Sequence, residues 1–142
     1  MAATTVQASV VIEKGFPLDY QKYRHTSLYF EFANLEPSAL IQVIGPKKQY
    51  IFECKDDHDP TQNPSLAKIV ALGSLAVGTS RARLIQILQT VPIRNRDWEF
   101  DCQQWVEAAL SRLKELGMLT SEAYTKGLDG MVDAISEAQD EE

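Results

Sequence analysis

Two residues stand out for the chemistry their types and settings allow, Cys102 and His25. Cys102 follows Asp101, and an Asp directly before an apolar run of helical period is a helix cap. The sulfur therefore falls in the first turn of a helix. Unpaired backbone N–H groups and the helix dipole favour a thiolate there, and the same groups could hold an oxyanion forming on a substrate carbonyl. Asp101 works the other way, because a neighbouring carboxylate disfavours a second negative charge. A nucleophilic thiol also needs a base or a cationic partner. The chain has 2 histidines. His58 sits in a polar stretch with Asp56, Asp57 and Asp59, whereas His25 opens a strand, which holds a side chain more rigidly. An imidazole paired with a thiol is usually oriented by a third group. Gln42, on a neighbouring strand, is the leading candidate, with Gln49 and Glu31 behind it. Such a set would attack an amide, ester or thioester carbonyl.

The elements that must position these residues fall into two halves. Val6 to Ile12 reads as a strand, broken by Gly15-Phe16-Pro17. His25 to Phe32 alternates strictly, with Leu28, Phe30 and Phe32 on one face and His25, Ser27, Tyr29 and Glu31 on the other. Leu40 to Ile44 is a third strand, closed by Gly45-Pro46, and Gln49 to Cys54 a fourth. Asp56 to Pro64 is a polar loop, and Lys68 to Leu72 a fifth strand ended by Gly73. Helices follow. Thr79 or Ser80 caps one that ends at Pro92. Asp101 caps the next, whose apolar positions are Trp105, Val106, Ala109, Leu110, Leu113 and Leu116, with Gly117 terminating it. Ser121 caps a last helix with Tyr124, Leu128, Val132 and Ile135 on one stripe. Gly127 and Gly130 weaken that helix, so it depends on packing. Strands first and helices after predict an α+β fold, a small antiparallel sheet of 4-5 strands packed with 2-3 helices.

With 142 residues, 44% apolar and 24% charged, the chain fits a single domain, 1-142, with a real core. Its acidic end, 137-142, reads as a frayed tail. The net charge of −6 argues against nucleic acid and against anionic membrane surfaces. Met1-Ala2-Ala3-Thr4-Thr5 has neither a basic nor an apolar signal region, and no run is long enough to span a bilayer, so a cytoplasmic location with reduced thiols is expected. A Cys54–Cys102 disulfide would need an oxidising compartment.

Other residues invite weaker readings. Trp98, Trp105, Tyr29 and Gln103 are candidates to line a substrate site, the aromatics as a stacking wall and Gln103 as an oxyanion donor. For both tryptophans, ordinary packing is the plainer account. Cys54 and His58 have metal-like spacing, but nothing brings them together with Cys102 and His25 to make four ligands, so no metal is expected. Arg81, Arg83, Arg94 and Arg96 are the basic cluster, a solvated rim or a site for an acidic group. Cys102 and His25 have plainer accounts too, as a thiol packed like a small hydrophobe and a histidine bonded to a backbone carbonyl.

Three segments carry a resemblance: His25-Thr-Ser-Leu-Tyr-Phe-Glu, Leu40-Ile-Gln-Val-Ile-Gly, and Trp98-Glu-Phe-Asp-Cys102-Gln-Gln-Trp-Val. From about the first strand to Leu119, the chain resembles a group of small fungal proteins with a strand of His-Trp type, a strand ending in Val-x-Gly, and a Cys-Gln-x-Trp-Val helix. The order His before Cys is similar to circularly permuted papain-like proteins, the NlpC-related, lecithin:retinol acyltransferase-like and PPPDE groups. The resemblance implies Cys102 as nucleophile, His25 as base and Gln42 as orienter, acting on a small-molecule or peptide substrate without a cofactor. Gln42 stands where a His is expected, Thr26 where Trp is common, and Asp101 where Asn is common. Those departures keep two alternatives in view: a non-catalytic binding module on the same scaffold, and a non-hydrolytic isomerase or cyclase with an apolar pocket of Tyr29, Trp98 and Trp105.

Overall fold

The computed structural model describes residues 5–33 and 35–139. Five strands, β1 (Val6–Glu13), β2 (His25–Phe32), β3 (Ala39–Ile44), β4 (Ile51–Asp56) and β5 (Leu66–Ser74), precede three helices, α1 (Arg81–Gln89), α2 (Cys102–Glu115) and α3 (Ser121–Ser136). The strands form one open antiparallel sheet in the order β4-β3-β2-β1-β5. Four consecutive strands thus meander, and β5 returns to the free edge of β1. The fold is α+β.

Register fixes which face is apolar. Val10 pairs with Leu28 and Ala8 with Phe30, so these side chains share a face, and Ile41 opposite Leu28 extends it. All five are buried and join Leu84 and Leu88 of α1 and Trp105, Val106, Ala109, Leu110 and Leu113 of α2 in the core. Each fully buried leucine or valine there contributes about 1.5–3 kcal/mol. His25 and Gln42 belong to the opposite set of alternating positions.

Helix starts follow local chemistry. Ser80 Oγ accepts from the Arg83 amide, and Asp101 Oδ1 from the Gln104 amide. The last helix is capped by Thr120 instead of the expected Ser121: Thr120 Oγ1 accepts from the Ala123 amide, and Ser121 is the first helical residue.

Three further expectations are corrected. The fourth strand lies two residues later than its apolar residues suggest, because Ala39 and Leu40 pair with Asp56 and Lys55. These polar residues extend the hairpin, and Arg81 binds Asp56 at its far end. The buried positions of α3 are Gly127, Met131 and Ala134, while Val132 is exposed. The glycines explain the rotation. A Cβ at Gly130 would come within 2.6 Å of Val70 Cγ1, and one at Gly127 would run into Leu72 Cδ2. Small residues let α3 lie directly on β5, which outweighs their poor helix propensity. Finally, the acidic end is not frayed from residue 137. Ala138 is buried, Gln139 bridges to Tyr20, and Gln21 Nε2 donates to the Ala138 carbonyl at 3.1 Å. Residues 140–142 of that stretch, like Met1 to Thr4, lie outside the described residues.

Candidate active site

His25 is the first residue of β2 and Cys102 the first of α2, so both side chains sit where an element begins. Gln103 holds those two starts together. Its Nε2 donates to the carbonyls of Gln21 at 3.0 Å and Arg24 at 3.1 Å. The Cys102 Sγ lies 4.0 Å from the same Arg24 carbonyl. The Cys102 side chain also acts on the His25 ring, favouring its protonated form.

Arg24 stands behind this junction and is almost fully buried. A buried guanidinium needs its donors satisfied. Nε and Nη2 donate to the two carboxylate oxygens of Asp19 at 3.0 and 2.9 Å, and Nη1 donates to the Ala134 carbonyl in α3 at 2.7 Å. The Arg24 guanidinium holds the Asp19 carboxyl down at about 2. The main chain entering β2 is therefore anchored from α2 and α3 together.

On its other side, the His25 ring meets Gln42. The Nε2–H of His25 donates to Gln42 Oε1 at 2.7 Å, and Gln42 Nε2 donates to Glu53 Oε1, also at 2.7 Å. Gln42 and Glu53 are direct partners across β3 and β4. With Nε2 so engaged, Nδ1 is the ring nitrogen left for the sulfur. Burial of the ring works against its charged form. The hydrogen bond and negative charge of the Cys102 sulfur outweigh that, aided by Gln42 and by Glu13 across the β1–β2 pair, and raise His25 from 6.5 to about 9. The protonated imidazole is thus favoured over the neutral ring.

At the helix start, Asp101 Oδ1 and the Asp101 carbonyl take the amides of Gln104 and Trp105, at 3.0 and 3.1 Å. The amides of Cys102 and Gln103 lie outside that cap, beside the sulfur, as first-turn donors. Tyr50 completes the surroundings. Its ring packs edge-on to Phe100 with centroids 5.9 Å apart, and burial followed by the negative charges of Cys102 and Asp101 raises its pKa, so the phenol keeps its proton. The Asn95 side chain fixes Tyr50 by accepting from its amide at 2.9 Å and donating to its carbonyl at 3.0 Å. The turn before Tyr50 depends on Gly45 at φ +124°, where a Cβ would lie 2.7 Å from the Gln49 carbonyl oxygen.

Cys102, His25 and Gln42 are therefore brought together. The substrate-lining candidates are not. Trp105 is fully buried, edge-on to Phe52 with centroids 6.2 Å apart, and serves the core. Gln103 is committed to two main-chain carbonyls and is no oxyanion donor. Tyr29 lies between Ser9 and Leu40 in mid-sheet, about 13 Å along the strand from His25 at ~3.3 Å per residue. Trp98 is exposed, its ring covered on one side by the Lys48 ammonium 3.9 Å from the centroid. The pocket of Tyr29, Trp98 and Trp105 is not formed.

Neither Gln49 nor Glu31 reaches His25; Glu53, behind Gln42, is the residue that sequence reasoning missed. Hairpin arithmetic around Gly45-Pro46 carried the signal, because Gln42 and Glu53 face each other only in this register. Arg24 was missed as well, since a buried arginine has no pattern of its own. Both cysteines are free. Burial and then Asp56 push the Cys54 thiol up, away from the thiolate. No group of three or more His, Cys, Asp or Glu suited to a metal ion occurs among the described residues. Arg81 serves Asp56 and the Pro37 carbonyl, and Arg94 stacks over Phe100, so these two arginines are engaged in separate contacts.

A family profile matches residues 17–120, well over half of the chain. The chain belongs to DUF6540, a family of unknown function. His25, Gln42, Glu53 and Cys102 all fall inside the matched span, which ends before α3. No curated protein and no solved structure matches the chain significantly. No helix among the described residues is long and apolar enough to cross a membrane.

Proposed function

We propose that this member of DUF6540 is a cysteine-dependent hydrolase or acyltransferase acting on an amide, ester or thioester. Cys102 is its nucleophile, His25 its proton partner and Gln42 its orienting group, on a scaffold of the permuted papain-like kind. The observation that carries this reading is the His25 ring held by Gln42 at 2.7 Å while the Cys102 sulfur, at the start of α2, favours its protonated form. A thiol packed merely as a small hydrophobe has no use for a buried, charged imidazole, which is costly without a partner. The substrate is a small molecule or peptide, and the setting is cytoplasmic, where the thiol stays reduced.

In the reaction, the sulfur attacks the carbonyl carbon, and the carbonyl oxygen takes the negative charge. The amides of Cys102 and Gln103 are the donors nearest that oxygen. The His25 imidazolium then gives its Nδ1 proton to the leaving amine, alcohol or thiol as the carbon–heteroatom bond breaks, leaving an acyl group on Cys102. Neutral His25 next takes a proton from water or an acceptor hydroxyl or amine. That nucleophile attacks the thioester and restores the thiolate.

Reading the chain as a non-catalytic binding module rests on Gln42 being a weaker orienter than histidine. The contact of Gln42 with Glu53 offsets that weakness. An isomerase or cyclase would need an apolar pocket that Tyr29, Trp98 and Trp105 do not form.

The test uses the full chain with p-nitrophenyl acetate and with iodoacetamide. The wild type should release nitrophenol and alkylate at Cys102 faster than a model thiol near neutral pH. Cys102→Ala should lose both, and His25→Gln should lower both by about 100-fold or more. Alkylation of Cys102 at the model-thiol rate, with no acyl transfer, overturns the proposal.

A further inference from the structure

We infer that Glu53 is a positioning residue of the Cys102–His25 site: its carboxylate fixes the orientation of the Gln42 amide, and through it the ring nitrogen that meets the sulfur. The inference rests on the thiol-centre reading above.

A glutamine amide has two ends of nearly the same shape, a carbonyl that accepts and an NH2 that donates. Only the carbonyl suits His25 Nε2–H. With the amide turned round, donor would face donor at His25. The ring could then bond Gln42 only by giving up the Nε2 proton, which excludes an imidazolium and moves the neutral ring's proton to Nδ1, against the sulfur. Nothing in Gln42 itself selects the productive orientation. Glu53 does, because a carboxylate oxygen only accepts. At 2.7 Å from Gln42 Nε2 it takes the NH2 end and leaves the carbonyl for His25.

The arrangement is built in, not a chance surface contact. Gln42 is 4% exposed, so a turned amide would find no water to repair its two mismatched bonds. Glu53 faces Gln42 directly across the β3–β4 pair, in a register set by the tight turn at Gly45. Lys55 Nζ lies 3.8 Å from the same Glu53 Oε1 and steadies the carboxylate from the more exposed side. The groups acting on His25 include Cys102 from α2, Gln42 from β3 and Glu13 from β1. Glu13 contributes charge alone and spends a carboxylate oxygen on Asn63 Nδ2 at 2.7 Å. Glu53 contributes direction.

The experiment follows ring-nitrogen NMR of the 15N-labelled full chain, with His58→Gln to assign His25, alongside the pH profile of iodoacetamide alkylation at Cys102. Glu53→Ala should lower the pH at which His25 loses its proton and slow alkylation at pH 7 by about threefold to tenfold, the range of one hydrogen bond. Glu53→Gln, whose amide can present either end to Gln42, no longer selects the orientation and should fall between Glu53→Ala and the wild type in both. Melting curves on the two variants separate this from loss of the fold. If Glu53→Ala changes neither the nitrogen signals nor the alkylation profile, or if Glu53→Gln matches the wild type in both, the inference is overturned. If the wild type itself shows no imidazolium at His25 and alkylates like a free thiol, the thiol-centre reading fails first.

Discussion

The Gln103 carboxamide reaches from the first turn of α2 to the carbonyl of Arg24, 3.1 Å away, so the residue after the sulfur grips the residue before the imidazole. A second bond to the Gln21 carbonyl at 3.0 Å makes the grip two-pointed. The spacing between Cys102 and His25 is thereby held by main-chain contacts of Gln103.

Removing that grip should disturb the site more than the fold. We expect Gln103→Ala to cost about 1–2 kcal/mol in urea denaturation, since it deletes two hydrogen bonds of a half-buried side chain. Alkylation of Cys102 at pH 7 should fall about tenfold. An unchanged rate would show that the two element starts hold their spacing without Gln103.

Deleting the sulfur should change the charge of the ring. Burial is the largest influence on His25 and opposes its protonation, and Cys102 is the main influence against it. In Cys102→Ala, therefore, His25 should titrate far below about 9 and be largely neutral at pH 7. Ring-nitrogen NMR across pH 5–10 reads this directly. A variant that still titrates near 9 would locate the cause in Gln42 or Glu13.

Stability should follow the same proton. His25 has a folded-state pKa above its ordinary value, so its contribution is fully present below about 6.5 and is lost as the pH rises through about 9. The difference in unfolding free energy between the wild type and His25→Gln should thus be greatest near pH 6 and shrink by pH 9.5. Urea midpoints at pH 6, 7.5 and 9.5 check the sign. A difference that grows with pH would contradict it.

A prediction remote from the site concerns α3. Gly127→Ala should destabilise the chain by about 1–3 kcal/mol, because the new methyl has to displace Leu72. Gly78→Ala offers a contrast: no atom stands within 4 Å of the added Cβ, and the backbone there, at φ +90°, is the only objection. Thermal melts of the two variants separate overpacking from strain. Equal melting to the wild type for Gly127→Ala would mean that α3 can slide on β5.

The sequence made some of this legible and hid the rest for physical reasons. β2 could be read residue by residue, because strict alternation from His25 to Phe32 fixes which residues share a face. The Asp101 cap is a local hydrogen bond, and local bonds are visible in local sequence. β4 runs two residues beyond its apolar pattern, since Lys55 and Asp56 owe their strand state to partners in β3 and to Arg81. The α3 stripe was rotated because apolar size was read as burial, whereas close approach to β5 requires its smallest residues to face inward. Cys102, His25 and Gln42 could be singled out by type and element, but Glu53 depends on register and Arg24 on a carbonyl 110 residues away.

Arg24 couples distant parts of the chain. One arm of its guanidinium ends on Ala134 near the close of α3, and its own carbonyl receives Gln103 beside the sulfur. The last helix, though outside the span of the family match, is linked mechanically in series with the imidazole. A ligand, a neighbouring protein or a truncation that tugs on its final turn would pass that pull through one side chain to Cys102 and His25.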